Sequence, residues 1–362
     1  MQMIKEGFVF FANNIRPKKE ELPKMDKTKV SGQMAFLEKL KASVPPNISL
    51  ANNMAELLNI SVDGAYRRLR GETGLTVDEF FTLCKAFKIS PDLVNSGQEK
   101  DGIVNFHYKH LGNEKINFDG YLAGIRKDMS QILKFEDNQI IFTAEDIPIW
   151  HYFNYPLLTG FKLFYWTKAI LNVEEFQESK FDESLVDAKL MEDAQAIYQL
   201  YLKTNSIEIW SEETVVSVIK QIEYFWETNQ FKEKETAINV LEELKMMIED
   251  IRKSAERTIK YDRKNPGNRN TGNYAMYQCD LMIGNNTIFV KMGENKAVYL
   301  SYNTFNSITT LQPSFVREIE GWISVLIKKS ILISGSAEKQ RSRLFFTINQ
   351  KIEQLIAHIR NV

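Results

Sequence analysis

Cysteine is scarce in this chain: Cys84 and Cys279 are the only two among 362 residues. Two thiols set among apolar neighbours cannot build a disulfide framework. They read as reduced core residues, which favours the cytoplasm. Long hydrophobic runs are missing too. The longest charge-free stretch in the aromatic region, residues 147–161, contains two prolines and is shorter than the ~20 residues that span a bilayer. No secretory signal is legible, because the apolar patch near the start holds Glu6 and no small-residue cleavage site follows. No membrane partner is expected.

Charge of one sign is also lacking. Lys+Arg number 46 and Asp+Glu 47, a net of −1. Residues 1–100 hold 15 basic and 12 acidic residues, so a nucleic-acid site must rest on local clustering and not on overall charge. Motifs of chemistry are absent as well. There is no Walker loop, no Gly-x-Gly-x-x-Gly and no His-Glu-x-x-His, so neither an enzyme nor a cofactor is expected. Histidine is rare, with four in all. His107 and His110 stand at i, i+3 and His151 could join them, but no carboxylate or cysteine pattern of a metal site accompanies them. Ser336-Ala337-Glu338-Lys339 has the Ser-x-x-Lys spacing of penicillin-interacting enzymes without their other motifs. Ser336 reads better as a helix N-cap. An anion beside Lys339 and Arg341 is the second reading there.

What is present belongs to an ordinary globular protein, 44% hydrophobic and 26% charged. The length suits roughly two or three domains. Residues 1–30 read as an extension and linker, with prolines bounding the charged run Pro17 to Lys24. Residues 31–97 read as four or five short helices. Met34, Leu37 and Leu40 stripe the first, with Phe36 beside them. Ser49 caps the second, which is expected to bury Leu50, Met54, Leu57 and Leu58. Ser61 caps the third. Thr76-Val77-Asp78-Glu79 is a capping box for the fourth, whose buried face is Phe80, Cys84 and Phe87. Pro91 is expected to open a last turn.

Residues 101–270 read as mainly helical. Tyr121, Leu122, Ile125, Met129 and Ile132 keep a helical period, and amphipathic runs cover 185–202, 212–226 and 234–260. A short strand is expected at 139–142. Eight aromatics fall within 150–166: Trp150, Tyr152, Phe153, Tyr155, Phe161, Phe164, Tyr165 and Trp166. Core packing is the favoured reading of these, ahead of a ligand pocket or dimer surface. The basic residues Arg252, Lys253, Arg257, Lys260, Arg263, Lys264 and Arg269 offer either added phosphate contacts or the solvated end of a long helix, and the second is the favoured reading. Residues 271–362 change character. Runs 274–283, 287–292 and 296–302 are β-rich and suggest a β-meander, followed by helices near 314–330 and 337–359. Regions 101–270 and 271–362 can also form one C-terminal regulatory and dimerisation domain.

One segment argues for a function. Two short helices meet at a turn of Asn59, Ile60 and Ser61. Ala55 is small where the helices cross, Asn59 tolerates left-handed backbone, and Ala65 and Leu69 face inward. Gly71 ends the second helix. Its outward positions include Ser61, Val62, Asp63, Gly64, Tyr66, Arg67 and Arg70. Arg67 is the candidate for bidentate reading of guanine, and Arg68 and Arg70 for phosphates. Gly64 would allow close approach to DNA. Asp63 would accept from a cytosine amine or favour the helix N-terminus.

Met54-Ala-Glu-Leu-Leu-Asn-Ile-Ser61, Ala65-Tyr-Arg-Arg-Leu-Arg-Gly-Glu72 and Leu75-Thr-Val-Asp-Glu-Phe80 together resemble the lambda-repressor-like (xenobiotic-response-element type) family. The resemblance covers about residues 31–95. It departs at Asn59, where the family often has Gly, and at Arg68, where an apolar residue is usual. It implies a helix-turn-helix whose second helix enters the DNA groove. The fold class expected is therefore mainly α with a smaller α+β part: an N-terminal lambda-repressor-like helix-turn-helix domain, a central helical region, and a C-terminal β-meander plus two helices. The function expected is a cytoplasmic, dimeric transcriptional regulator bound to double-stranded DNA, with room for a small-molecule effector. The rival is a protein-interaction scaffold whose module does not bind DNA.

Overall fold

The computed structural model describes residues 32–42, 49–87, 104–108 and 118–362. The expectations for the N-terminal extension, for Pro91 and for His110 lie outside these residues. The chain is mainly α with an α+β part, and it divides into two compact units, residues 1–103 and 104–362.

Among its described residues the first unit has four helices: α1 (Gly32–Ala42), α2 (Leu50–Leu58), α3 (Val62–Leu69) and α4 (Val77–Phe87). None is long enough to persist alone in water, so a shared core must hold them. That core is Phe36, Leu37 and Leu40 of α1, Ala51, Met54 and Ala55 of α2, Ala65 and Leu69 of α3, and Leu83 and Cys84 of α4. The Phe36 and Phe80 rings meet edge to face at 4.7 Å. Leu50, Leu58, Phe80 and Phe87 are only half-buried against this core, and two positions depart further from the sequence reading. Leu57 is exposed, because it sits one residue off the stripe that faces α1 and α4, and Leu83 takes a buried place beside Cys84.

The second unit is built on one mixed sheet, with eight strands among the described residues: β1 (His107–Tyr108), β2 (Asn138–Ala144), β3 (Ser206–Trp210), β4 (Tyr274–Gln278), β5 (Thr287–Met292), β6 (Asn295–Tyr302), β7 (Asn306–Thr310) and β8 (Ile331–Leu332). The strand order is β1-β7-β6-β5-β2-β3-β4-β8. The central β2-β3-β4 pairings are parallel and the flanking ones antiparallel. The regions before and after residue 270 therefore interleave in a single sheet and belong to one unit. The meander exists, but it is β5-β6-β7. Tyr274–Gln278 pairs with β3 and β8 and never with β5.

Its helices are α5 (Phe118–Ile132), α6 (Ile149–Tyr152), α7 (Pro156–Tyr165), α8 (Ala188–Lys203), α9 (Val216–Glu227), α10 (Lys234–Arg257), α11 (Pro313–Lys328) and α12 (Glu338–Asn361). Side chains alternate across each strand. On one face Ile140, Phe142, Trp210, Tyr274, Met276 and Val290 join the main core with α5, α7, α8, α10 and α12. On the other face Ile209, Phe289 and Val298 pack under Val316, Ile323 and Leu326 of α11. Of the eight aromatics in 150–166, all but Tyr165 are buried, as a helical core requires. No helix among the described residues is long and apolar enough to cross a membrane.

Candidate nucleic-acid interface

The segment 49–72 is held by backbone chemistry at each helix end. Ser49 is extended and its Oγ accepts from Asn52 N–H at the start of α2. Asn59 adopts left-handed backbone (φ 52°, ψ 48°). Its N–H donates to Glu56 O at 3.3 Å, and Ile60 N–H donates to Ala55 O at 3.0 Å. This is the Schellman pair, with Asn in the place usually held by Gly. Ser61 then restarts the chain: it is extended and accepts from Gly64 N–H at 3.1 Å. At the far end Gly71 (φ 75°) repeats the Schellman pair, with Gly71 N–H on Arg68 O at 3.0 Å and Glu72 N–H on Arg67 O at 2.9 Å. A Cβ at Gly71 would stand 2.9 Å from Met34 Sδ, so both conformation and space ask for glycine.

The angle between α2 and α3 is thus set by three residues and locked from above. Ala65 is fully buried and Leu69 nearly so, and Ile60 packs beneath the turn. A residue that the sequence reading did not single out completes the lock. Gln33 of α1 donates Nε2 to Thr73 O at 2.8 Å and to Arg68 O at 3.2 Å, while its Oε1 accepts from Leu75 N–H at 2.9 Å. It satisfies the orphan groups at the end of α3 and in the loop after it. Only its distance in sequence hid it, since a glutamine in a helix carries no local signal.

The capping box at Thr76 forms in both directions. Glu79 N–H donates to Thr76 Oγ1 at 3.2 Å, and Thr76 N–H donates to Glu79 Oε2 at 2.9 Å. Glu79 has a second task. Arg68 grips it with Nε and Nη2 at 3.1 and 2.7 Å and also donates Nη1 to Gly64 O at 3.2 Å. The two side chains are only 16% and 17% exposed. The Arg68 guanidinium holds the Glu79 carboxyl below the usual carboxylate range, against desolvation, which raises it. Arg68 is therefore turned inward as a strut between α3 and α4, and not outward toward a phosphate. An apolar residue at this position would also bury; Arg68 buries with a partner.

The crowding at Gly64 is likewise intramolecular. A Cβ there would lie 3.2 Å from Ser61 Oγ and 3.7 Å from Arg68 Nη1, so glycine leaves room for the cap and the strut. The remaining candidates form one exposed face. Ser61, Asp63, Tyr66, Arg67 and Arg70 are all exposed. Arg67 rests 3.4 Å from Asp63 one turn back, with side chains 61% and 75% exposed. Arg70 makes a fork on Glu72 at 2.6 and 3.0 Å. That fork raises the Arg70 pKa and lowers that of Glu72. Between Ser49 and Phe87 the basic residues are Arg67, Arg68, Arg70 and Lys85, and the acidic ones Glu56, Asp63, Glu72, Asp78 and Glu79. The face is hydrogen-bonding and aromatic more than it is positive.

The other constellations resolve differently. His151 is buried and its Nε2 lies 2.8 Å from Glu208 Oε1, while His107 is exposed on β1. No group of three or more metal-ligating side chains is found among the described residues. Ser336 does not cap α12: the preceding residue is Ala337 and no side-chain cap forms. Arg341 instead clamps that loop, donating to Ile333 O and Gly335 O at 3.0 and 2.8 Å from a buried position. The basic run after residue 251 is largely committed within the protein. Arg252 pairs with Glu249 and Glu256, Arg263 forks on Asp250, and Lys260 is buried on the carbonyls of Tyr201 and Thr204. Compared with known proteins, the chain matches no family model, no curated protein and no solved structure.

Proposed function

We propose that the protein is a sequence-specific, DNA-binding transcriptional regulator in which the first unit is a lambda-repressor-like helix-turn-helix and α3 is the recognition helix. The observation that carries this reading is the face of α3. A capped, short helix, braced by Arg68, Gln33 and the Asn59 turn, presents Ser61, Asp63, Tyr66, Arg67 and Arg70 together to solvent. Its N-terminal half would enter the major groove. Arg67 would leave its loose contact with Asp63 and direct two N–H groups at guanine O6 and N7. Asp63 would then be free to accept from a cytosine amine. Arg70 would exchange Glu72 for a backbone phosphate.

One small module covers too little DNA for tight binding, so two copies on half-sites roughly 34 Å apart, or a multiple of it, are expected. The second unit would supply the pairing.

Selection of bound sequences from random DNA, followed by Arg67→Ala, tests the assignment. Loss of one bidentate base contact should weaken the selected site by roughly 10- to 100-fold and relax choice at that base. Unchanged affinity in a folded variant would reject the recognition role. The rival reading is a protein-interaction module. It is favoured by the carboxylates already beside Arg67 and Arg70, and by Val77 and Phe81, exposed one turn apart on α4. On that reading no DNA sequence is enriched, and Phe81→Ala, not Arg67→Ala, abolishes partner capture.

A further inference from the structure

The second unit contains a cavity of about 150 Å³ between α5 and strands β2, β5 and β6. That is the size which admits a single six-membered aromatic ring. Its walls are mainly apolar, with Ile125, Phe142 and Ile288 among them. Trp150 and Trp166 also line it, and their Nε1–H groups are buried without an acceptor in the protein. Buried indoles ordinarily find one. Neither ring is free to turn away. Trp150 stacks on Tyr201 at 5.0 Å and meets Phe142 edge-on, and Trp166 stacks on Phe305 at 4.8 Å and meets Tyr121 edge-on.

The charged and amide groups nearby are already engaged. Lys162 Nζ donates to Asp146 Oδ2 at 2.7 Å and to Gln221 Oε1 at 2.9 Å. Asn286 Oδ1 accepts from the N–H groups of Glu145 and Asp146. Two wall residues, Trp150 and Trp166, therefore carry unused donors, and the one cation in the wall, Lys162, is already engaged. At its rim the β6–β7 turn places Asn303 and Thr304 in left-handed backbone, at φ 47° and 72°. For a β-branched residue that conformation is costly, and such strain recurs in segments that clamp a ligand.

We propose that this cavity binds a small, neutral, single-ring aromatic molecule carrying a carbonyl-type acceptor, held by the indole N–H groups of Trp150 and Trp166. A carboxylate would meet no free cation here, and a plain hydrocarbon would leave both donors unsatisfied. A role as effector would rest on the regulatory reading of the first unit; occupancy of the site does not.

Calorimetric titration of the full chain, without DNA, tests it with two probes of matched shape: acetophenone, which has the acceptor, and ethylbenzene, which lacks it. Acetophenone should bind saturably and roughly fivefold more tightly than ethylbenzene, the worth of a net hydrogen bond. Trp150→Phe and Trp166→Phe should shrink that preference. Ile125→Trp and Ser301→Phe fill the cavity from α5 and from β6 and should weaken acetophenone by roughly tenfold or more. If one filling variant does not fold, as judged by circular dichroism, the other carries the comparison. Absence of saturable acetophenone binding to the parent chain would overturn the proposal. So would equal affinity for the two probes, or binding untouched in a folded filling variant. The titration involves no DNA, so its failure leaves the Arg67 test intact, and failure of that test leaves the cavity standing.

Discussion

Arg68 shows how one side chain can change its role between sequence and structure. Its charge and its place on α3 suggest a phosphate contact, yet its guanidinium closes on Glu79 in a part-buried fork. Arg68→Ala should therefore act on stability. Loss of a bidentate, partly desolvated pair costs roughly 1–3 kcal/mol, and in a unit of this size each kcal/mol lowers the melting temperature by about 4–8 °C. Arg68→Lys, which keeps the charge and loses the fork, should recover only part of it. An unchanged melting temperature with weakened DNA binding would return Arg68 to the interface.

Glu79 gives a pH signature with a fixed sign. Its carboxyl pKa is depressed in the folded state, chiefly by Arg68. Its contribution is thus complete above the ordinary glutamate value of about 4.3 and is lost as pH falls through the lower folded value. Urea unfolding should show the first unit losing stability in this acid range, and Glu79→Gln should flatten that loss. An identical acid dependence in the variant would remove Glu79 from the account. Lys260 makes the complementary point. It reads in sequence as part of a solvated basic tail, but it is buried over the Tyr201 ring, and desolvation pulls its pKa well down even though Glu208 favours the charge.

At the scale of elements, local chemistry made most helices of the first unit legible. Ser49, Ser61, Thr76 and Gly71 are caps or stops whose action is completed within a few residues, and each does in space what its type predicts. Strand β3 was not legible. Ser206–Trp210 is five residues between two helices, and its central Glu208 argues against a core strand. The tertiary structure answers that objection. Glu208 accepts from Trp210 Nε1 and Tyr274 OH at 2.8 and 2.9 Å, from Tyr201 OH, and lies beside His151. Burial raises its pKa, and His151 together with the Tyr201 and Tyr274 hydroxyls brings it below the usual value.

Gly272 belongs to the same level. It leads into β4, where Gly272 N–H donates to Leu202 O at 2.7 Å, and a Cβ there would fall 2.2 Å from Thr204 O. The close pass of two backbones requires glycine. Gly272→Ala should destabilise the second unit by roughly 1–3 kcal/mol through overpacking. Differential scanning calorimetry would register this, and a transition at the parent temperature would show that the backbones can separate at no cost.

For the whole molecule the decisive quantity is charge. With a net of −1 overall, and four basic against five acidic residues between Ser49 and Phe87, the DNA affinity proposed above would not come from a strong positive field. Two copies, each placing Arg70 on a phosphate beside the base contact of Arg67 and a few neutral donors, would neutralise about two phosphates. The slope of log affinity against log salt should then be about −2, well short of strongly basic repressors. A flat response would favour the protein-interaction reading. A slope near −10 would require basic residues other than those of the α2–α4 segment.

By itself the sequence determined what depends on near neighbours. It set the caps, the left-handed Asn59, the exposed face of α3 around Arg67, the long helices of the second unit and the β-rich change after residue 271. Each of these follows from residue type and a spacing of four positions or fewer. Only the tertiary structure decided what depends on distant pairs. It turned Arg68 onto Glu79, brought Gln33 to the end of α3, threaded β2 between β5 and β3, and paired Glu208 with donors up to 66 residues away. The reason is physical. A buried polar group must be satisfied by whatever the fold brings beside it, and sequence order does not name that neighbour.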